Sequence, residues 1–306
     1  MLRSVILAAA RSARVERLVE TAPISRDVVR RFVAGTSTDD GLRVARELAD
    51  RGLAVSLDHL GEDTVTPEQA QSTREEYVRL LAALAAADLT PAAEVSVKLS
   101  ALGQRFDEKL AFDHAQAICA AAATAGTTVT LDMEDHTTTD STLDILARLR
   151  EEFHTTGAVL QAYLRRTEDD CRELAVPGSR VRLCKGAYRE PEAVAYQSAL
   201  DVDLAYVRCM NILMSGPGYP MLATHDPRLI AIGEDRAKWF ERTADSFEFQ
   251  MLYGVRDVEQ RRLSEQGYTV RAYVPYGTEW YGYMMRRMAE KPANVSLFLN
   301  ALKSRR

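Results

Sequence analysis

The densest chemistry in the chain lies in one stripe near its C-terminal end. In Tyr283-Met284-Met285-Arg286-Arg287-Met288-Ala289-Glu290, positions 283, 286, 287 and 290 fall at i, i+3, i+4 and i+7. On a helix, an aromatic ring, two guanidinium groups and a carboxylate would share one face. Adjacent arginines repel unless something anionic lies between them, and a guanidinium grips a carboxylate or phosphate through paired hydrogen bonds. The stripe reads as an anion clamp, with Glu290 holding one arginine in a fixed rotamer and Tyr283 forming a flat wall. The same composition also suits a solvated helix end, since Pro292 stops the helix and basic residues favour a helix C-terminus.

Upstream, polar side chains punctuate short apolar runs. They are Lys98; Asp132, Met133 and Glu134; Gln161; Arg182 and the run Cys184, Lys185, Gly186, Ala187, Tyr188; Thr224, His225 and Asp226; Gln250, Leu252 and Tyr253; and Tyr273. Taken singly, each has an ordinary explanation. Lys98 and Asp132 could be a buried ion pair, His225 a satisfied structural histidine, and the tyrosines rim packing. If one fold brings them to one mouth, they line a pocket, because charged residues are rarely buried without a partner or ligand.

The runs themselves supply that fold. Eight segments read as strands: Leu53 to Leu57, Val95 to Leu99, Val129 to Met133, Val159 to Leu164, Val181 to Cys184, Met221 to Ala223, Phe247 to Leu252 and Val270 to Val274. Helical periodicity fills the gaps at Pro67 to Ala87, Phe112 to Ala125, Thr142 to Phe153, Glu168 to Leu174, Ala193 to Met214, Pro227 to Thr243 and Val258 to Gln266. Residues 2 to 20 and 26 to 34 read as short amphipathic helices, with Ser25 capping the second. Alternating strands and helices argue for parallel pairing, and eight units argue for a closed (β/α)8 barrel. The expected organisation is one domain over residues 1–306, with N-terminal helices in 1–50 and the barrel in 51–306. In such a barrel the C-terminal strand ends carry the chemistry. No G-x-G-x-x-G follows any strand, so the usual dinucleotide fingerprint is absent.

Composition narrows the function. With 46% hydrophobic and 27% charged residues and a net charge of -5, the 306-residue chain has the balance of a soluble globular protein. It lacks the basic footprint of a nucleic-acid binder. Four separated cysteines and five histidines show no metal-ligand spacing, so no metal site is expected and a reducing cytosol fits. No apolar run is long enough to span a bilayer. Neither a nucleophile elbow nor a Cys/His pair is present. Lys98, Arg286 and Arg287 with nearby aromatics suit a small carboxylate-bearing substrate. Arg182, Lys185, the Gly186-Ala187 backbone, Thr224 and His225 suit a larger ligand with phosphates or electron-rich ring atoms. Two other functions use the same residues: a Schiff-base aldolase with Lys98 or Lys185 as nucleophile, and a non-catalytic amino-acid binder using the arginine pair.

From about residue 53 to 299 the chain resembles the monofunctional bacterial proline dehydrogenases. The likeness runs through Val97-Lys98-Leu99-Ser100-Ala101-Leu102, Leu131-Asp132-Met133-Glu134, Arg182-Leu183-Cys184-Lys185-Gly186-Ala187-Tyr188 and Ala223-Thr224-His225-Asp226. It continues through Phe249-Gln250-Met251-Leu252-Tyr253-Gly254 and the Tyr-x-x-Arg-Arg-x-x-Glu stripe. The first fifty residues carry no matching motif. The resemblance implies a distorted (β/α)8 barrel whose final helix lies over the mouth. It also implies FAD, held noncovalently, and oxidation of L-proline to Δ1-pyrroline-5-carboxylate by hydride transfer from C5 to flavin N5. By the same likeness Asp132 and Arg182 are catalytic, and Lys98, Arg286 and Arg287 bind the proline carboxylate. Tyr188, Leu252, Tyr273 and Tyr283 pack about its ring. Met133, Gln161, Arg182, Lys185, Gly186, Ala187, Thr224 and His225 contact FAD. The implied partners are a membrane quinone and a separate pyrroline-5-carboxylate dehydrogenase, and the implied location is the cytoplasm, with peripheral attachment to the inner face of the plasma membrane.

Overall fold

The structure is a computed structural model and describes residues 31–61 and 64–284. Eight parallel strands pair in chain order and close on themselves: β1 Ala54–His59, β2 Ala93–Lys98, β3 Val129–Asp132, β4 Gly157–Gln161, β5 Arg180–Cys184, β6 Tyr219–Ala223, β7 Glu248–Leu252 and β8 Thr269–Tyr276. All eight expected strands are present, and the fold is the expected α/β (β/α)8 barrel. Helices α2 Pro67–Ala86, α3 Glu108–Thr124, α4 Thr139–Arg150, α5 Thr167–Leu174, α6 Ala199–Ser215, α7 Pro227–Trp239 and α8 Asp257–Glu265 alternate with the strands, preceded by α1 Thr38–Ala49. Their starts are set locally. Thr66 and Ser37 form capping boxes, and Asp107, Ser198 and Asp226 accept backbone hydrogen bonds from the first turn.

Strands in a parallel barrel are usually apolar on both faces. Here they alternate. Val55 and Leu57, Val95 and Val97, Val129 and Leu131, Val181 and Leu183, and Phe249 and Val274 belong to the buried apolar core beneath the helices. The opposite parity is polar: Ser56 and Asp58, Glu94, Ser96 and Lys98, Thr130 and Asp132, Arg180 and Arg182, Glu248 and Gln250, and Arg271 and Tyr273. Period-two alternation in a closed sheet sends that second set to the barrel axis. The lower interior is an ion network. Glu94 takes Arg180 at 2.7 Å, and Glu248 takes Arg271 at 2.8 Å.

One expectation about helices needs revision, and one helix is additional to those expected. The helix expected from Ala193 begins instead at Ala199. Tyr196 N–H donates to the Tyr163 carbonyl at 2.8 Å and Leu164 bridges Ala195, so this stretch is tied to the loop after β4 until Ser198 caps the helix. Helix α1 was not singled out, because Gly41 interrupts its apolar spacing. That glycine is where the helix approaches the sheet, since a Cβ there would lie 3.4 Å from Leu57 and 3.6 Å from Tyr276. The expected helix at residues 2 to 20, and most of that at 26 to 34, lie outside the described residues.

Helix α1 packs against both β8 and β1. In an ordinary barrel that seat belongs to the helix that follows β8. With it filled, the chain leaves β8 through Gly277, whose φ of +125° suits glycine, and residues 280–284 turn helical. Tyr283 and Met284 then pack with Phe32, Val33 and Leu60, and Leu60 directly follows the C-terminal end of β1. The final helix therefore starts beside the mouth.

Candidate active site

The upper interior of the barrel holds one connected cluster. Lys98 at the end of β2 donates to Asp58 Oδ2 at 2.7 Å and lies 3.6 Å from Asp132 Oδ2. Asp132, at the end of β3, accepts from Ser96 Oγ, from Arg182 Nη1 and from the Tyr273 hydroxyl, each at 2.7 Å. Arg182 also donates to Ser96 at 2.9 Å, to Ser56 at 3.3 Å and, through Nε, to Gln250, and its guanidinium sits 5.3 Å from the centre of the Tyr273 ring. Register explains the convergence. Lys98 stands beside Asp132 across β2/β3, and Tyr273 stands beside Ser56 across the β8/β1 seam that closes the barrel.

Burial shapes the electrostatics. Arg182 is only 4% exposed, and a guanidinium so deep persists because Asp132 and Gln250 satisfy it. Burial pushes the Tyr273 hydroxyl well above its usual value, and the nearby Asp132 and Asp58 carboxylates push it further against the opposing effect of Arg182. It is therefore a donor at any physiological pH. Among the described residues two carboxylates, Asp58 and Asp132, face two cations, Lys98 and Arg182. Asp58 is 1% exposed and pairs with Lys98 at 2.7 Å, a partnership the sequence alone does not display. Nor does it display those of Ser56 and Ser96.

A second group gathers at the ends of β3, β4 and β5. Gln161 donates from Nε2 to the Met133 carbonyl at 3.3 Å, while its buried Oε1 has no hydrogen-bond partner among the described residues. Gly186 has a φ of +109°, and a Cβ there would lie 2.3 Å from the Tyr163 ring, so this bend requires glycine. Ala187 and Tyr188 follow it at the surface of the same loop. Lys185 meets Asp203 at 2.5 Å and Asp226 at 3.2 Å. Hydrogen bonds from the Arg228 guanidinium, helped by Lys185, hold the Asp226 carboxyl far below the usual range against the opposing effect of burial.

At the ends of β6 and β7, Thr224 accepts from the Asp226 backbone at 3.1 Å. His225 Nε2 accepts the Leu252 N–H at 2.9 Å, which puts the proton of the neutral imidazole on Nδ1. Leu252 in turn neighbours Tyr273 across β7/β8. Glu134 is occupied structurally, taking the Ser100 hydroxyl at 2.7 Å and the Ser100 N–H at 3.2 Å. Tyr283 is buried at the start of the final helix. Arg286, Arg287 and Glu290 lie outside the described residues.

Fold and cluster together define a (β/α)8 barrel with Lys98, Asp58, Asp132, Arg182 and Tyr273 gathered at the C-terminal strand ends. A family model described as proline dehydrogenase matches residues 42–300, and the chain belongs to that family. It is 37% identical over 273 residues to proline dehydrogenase 1 of Bacillus subtilis, covering 89% of this chain and 90% of that one. It is 38% identical over 309 residues to proline dehydrogenase of Deinococcus radiodurans, covering 98% and 97%. Among solved structures, proline utilization A from Bdellovibrio bacteriovorus, inactivated by N-propargylglycine, superimposes with a TM-score of 0.80 at 26% identity. That match covers 86% of this chain and 32% of that one.

Proposed function

We propose that this chain oxidises L-proline to Δ1-pyrroline-5-carboxylate with noncovalently held FAD and passes the electrons to a membrane quinone. The observation that carries the reading is the Lys98–Asp132–Arg182–Tyr273 cluster in the mouth of a barrel of this family. FAD, when bound, would supply the hydride acceptor for oxidation at proline C5. The residues suit such a group. Gln161 offers a buried, unpaired acceptor to a ring N–H, and Gly186 brings backbone close where a side chain would not fit. Met133, Gln161, Arg182, Lys185, Gly186, Ala187, Thr224 and His225 would hold it.

The remaining chemistry is positioning and electrostatics. Lys98, Arg286 and Arg287 bind the substrate carboxylate, with Glu290 fixing an arginine, and so aim the far side of the ring. Tyr188, Leu252, Tyr273 and Tyr283 wall that ring. Arg182 would supply positive charge that favours a flavin gaining electrons and disfavours a protonated substrate nitrogen. Asp132 orients Arg182 and the Tyr273 hydroxyl, and its three hydrogen bonds suit that role better than that of a free base.

The chain works as one unit, residues 1–50 preceding the barrel of 51–306, and the product goes to a separate pyrroline-5-carboxylate dehydrogenase. It acts in the cytoplasm, attached peripherally to the inner face of the plasma membrane. No helix among the described residues is long and apolar enough to cross a membrane.

Purified protein should be yellow, with flavin absorbance that bleaches anaerobically on adding L-proline. A colourless protein trapped by borohydride with a keto substrate would instead establish the Schiff-base reaction, and neither response would leave the amino-acid binder. The ion pairs argue against the Schiff base, since Lys98 and Lys185 are both held by carboxylates.

A further inference from the structure

We infer that Glu190 is a positioning residue that ties together the three loops carrying one side of the cofactor site. Its carboxylate is 3% exposed, although it sits on a loop at the barrel mouth. Oε1 accepts the His136 backbone N–H at 3.0 Å and the Tyr163 hydroxyl at 3.3 Å, and Oε2 pairs with His136 Nδ1. The Glu190 carbonyl accepts from Gln197 at 3.2 Å. One buried carboxylate thus joins the loop after β3, the loop after β4 and the loop after β5.

The tie reaches the site through Tyr163. Its hydroxyl donates to Glu190 at 3.3 Å. Its N–H donates to the Lys185 carbonyl at 2.9 Å, and its ring occupies the space a Gly186 side chain would need. The Lys185 to Tyr188 backbone therefore rests on Tyr163, and Tyr163 is held from behind by Glu190. Met133 and Gln161 stand at the front ends of the other two joined segments. A buried carboxylate that loses its partners, or partners that lose the carboxylate, incur a desolvation cost, so the tie resists separation of the loops. Residues that stand behind ligand-binding groups set their geometry without touching the ligand.

This inference rests on the flavin reading for its cofactor readout, while amide exchange tests the tie independently. In the whole protein, Glu190→Ala should speed amide exchange at Gly186, Ala187 and Tyr188 and raise the FAD dissociation constant about tenfold, the size expected for losing buried hydrogen bonds. Tyr163→Phe keeps the ring under Gly186 but removes the hydroxyl that Glu190 holds, and should reproduce the faster exchange at residues 186 to 188 even if Glu190→Ala folds poorly. Glu190→Gln keeps the acceptor oxygen and should restore both exchange protection and FAD affinity to near the unsubstituted level. Unchanged exchange at residues 186 to 188 in both Glu190→Ala and Tyr163→Phe would overturn the inference. So would a Glu190→Gln variant as impaired as Glu190→Ala. A parent protein without flavin would sink the proposed activity instead, and exchange would still decide the tie.

Discussion

The Lys98 ammonium lies nearer to Asp58, at 2.7 Å, than to Asp132, at 3.6 Å. A buried residue of β1 therefore neutralises a cation assigned to the substrate. Among the described residues Asp132 and Arg182 form the neighbouring pair. Asp58→Asn should make the cluster more positive by one unit, and one unit of charge is worth about 1 to 3 kcal/mol to a nearby anion at an effective dielectric near 20. Cyclopentanecarboxylate, which has no ring nitrogen to oxidise, should bind at least several-fold more tightly to this variant by calorimetry. Equal or weaker binding would show that Asp58 does not set the charge balance.

Tyr273→Phe separates the hydroxyl from the ring. The change removes the 2.7 Å donor to Asp132 and keeps the ring beside Arg182. Asp132 retains Ser96 and Arg182, so the stability cost should be about 1 kcal/mol. Flavin content should hold, kcat/KM for proline should fall roughly tenfold as one orienting hydrogen bond is lost, and discrimination between proline and hydroxyproline should shift. Unchanged selectivity would remove Tyr273 from the wall of the substrate ring. Because burial and the adjacent carboxylates keep this hydroxyl protonated far above its usual range, replacing it should leave the alkaline limb of the pH profile in place.

The strands were legible because apolar and β-branched residues recur at short spacing, and residues such as Lys98, Asp132 and Arg182 are conspicuous inside such runs. Asp58 escaped notice because Asp58-His59 follows the apolar run and looks like ordinary punctuation before a loop. Ser56 and Ser96 were invisible for another reason: serine in a strand says nothing until register places it beside a guanidinium. Glu190 draws its partners His136 and Tyr163 from 54 and 27 residues away, a relation no local pattern can display. Helix α1 was obscured by Gly41, whose lack of a side chain is what lets the helix sit against the sheet.

Acid should loosen the barrel from its lower interior. Burial alone would raise the Glu94 carboxyl, but Arg180, Arg271 and Arg182 outweigh it and hold the group at about 2, below the ordinary 4.5. A depressed carboxyl contributes its stability above the unfolded value, and that contribution is lost as pH falls through the folded one. Denaturant midpoints should thus decline between about pH 5 and pH 2, with Glu94 supplying about 3 kcal/mol of the fall. Glu94→Gln, less stable at neutral pH because its arginines lose their partner, should show a flatter decline over the same window. An equally steep decline would assign the acid sensitivity to other carboxylates.

The ion pairs also bear on the proposed clamp. Lys98 is paired with Asp58 and Arg182 with Asp132, so neither can offer a full uncompensated charge to the substrate carboxylate. The proposed clamp therefore depends on Arg286 and Arg287, which lie outside the described residues. Arg287→Met keeps much of the side-chain length and removes the charge-assisted paired contact, worth about 1.5 to 3 kcal/mol. The KM for proline should rise by roughly ten- to a hundred-fold, with flavin content and the visible spectrum unchanged. Lost flavin with an unaltered KM would place Arg287 at the cofactor, and it would leave Lys98 to hold the carboxylate in competition with Asp58.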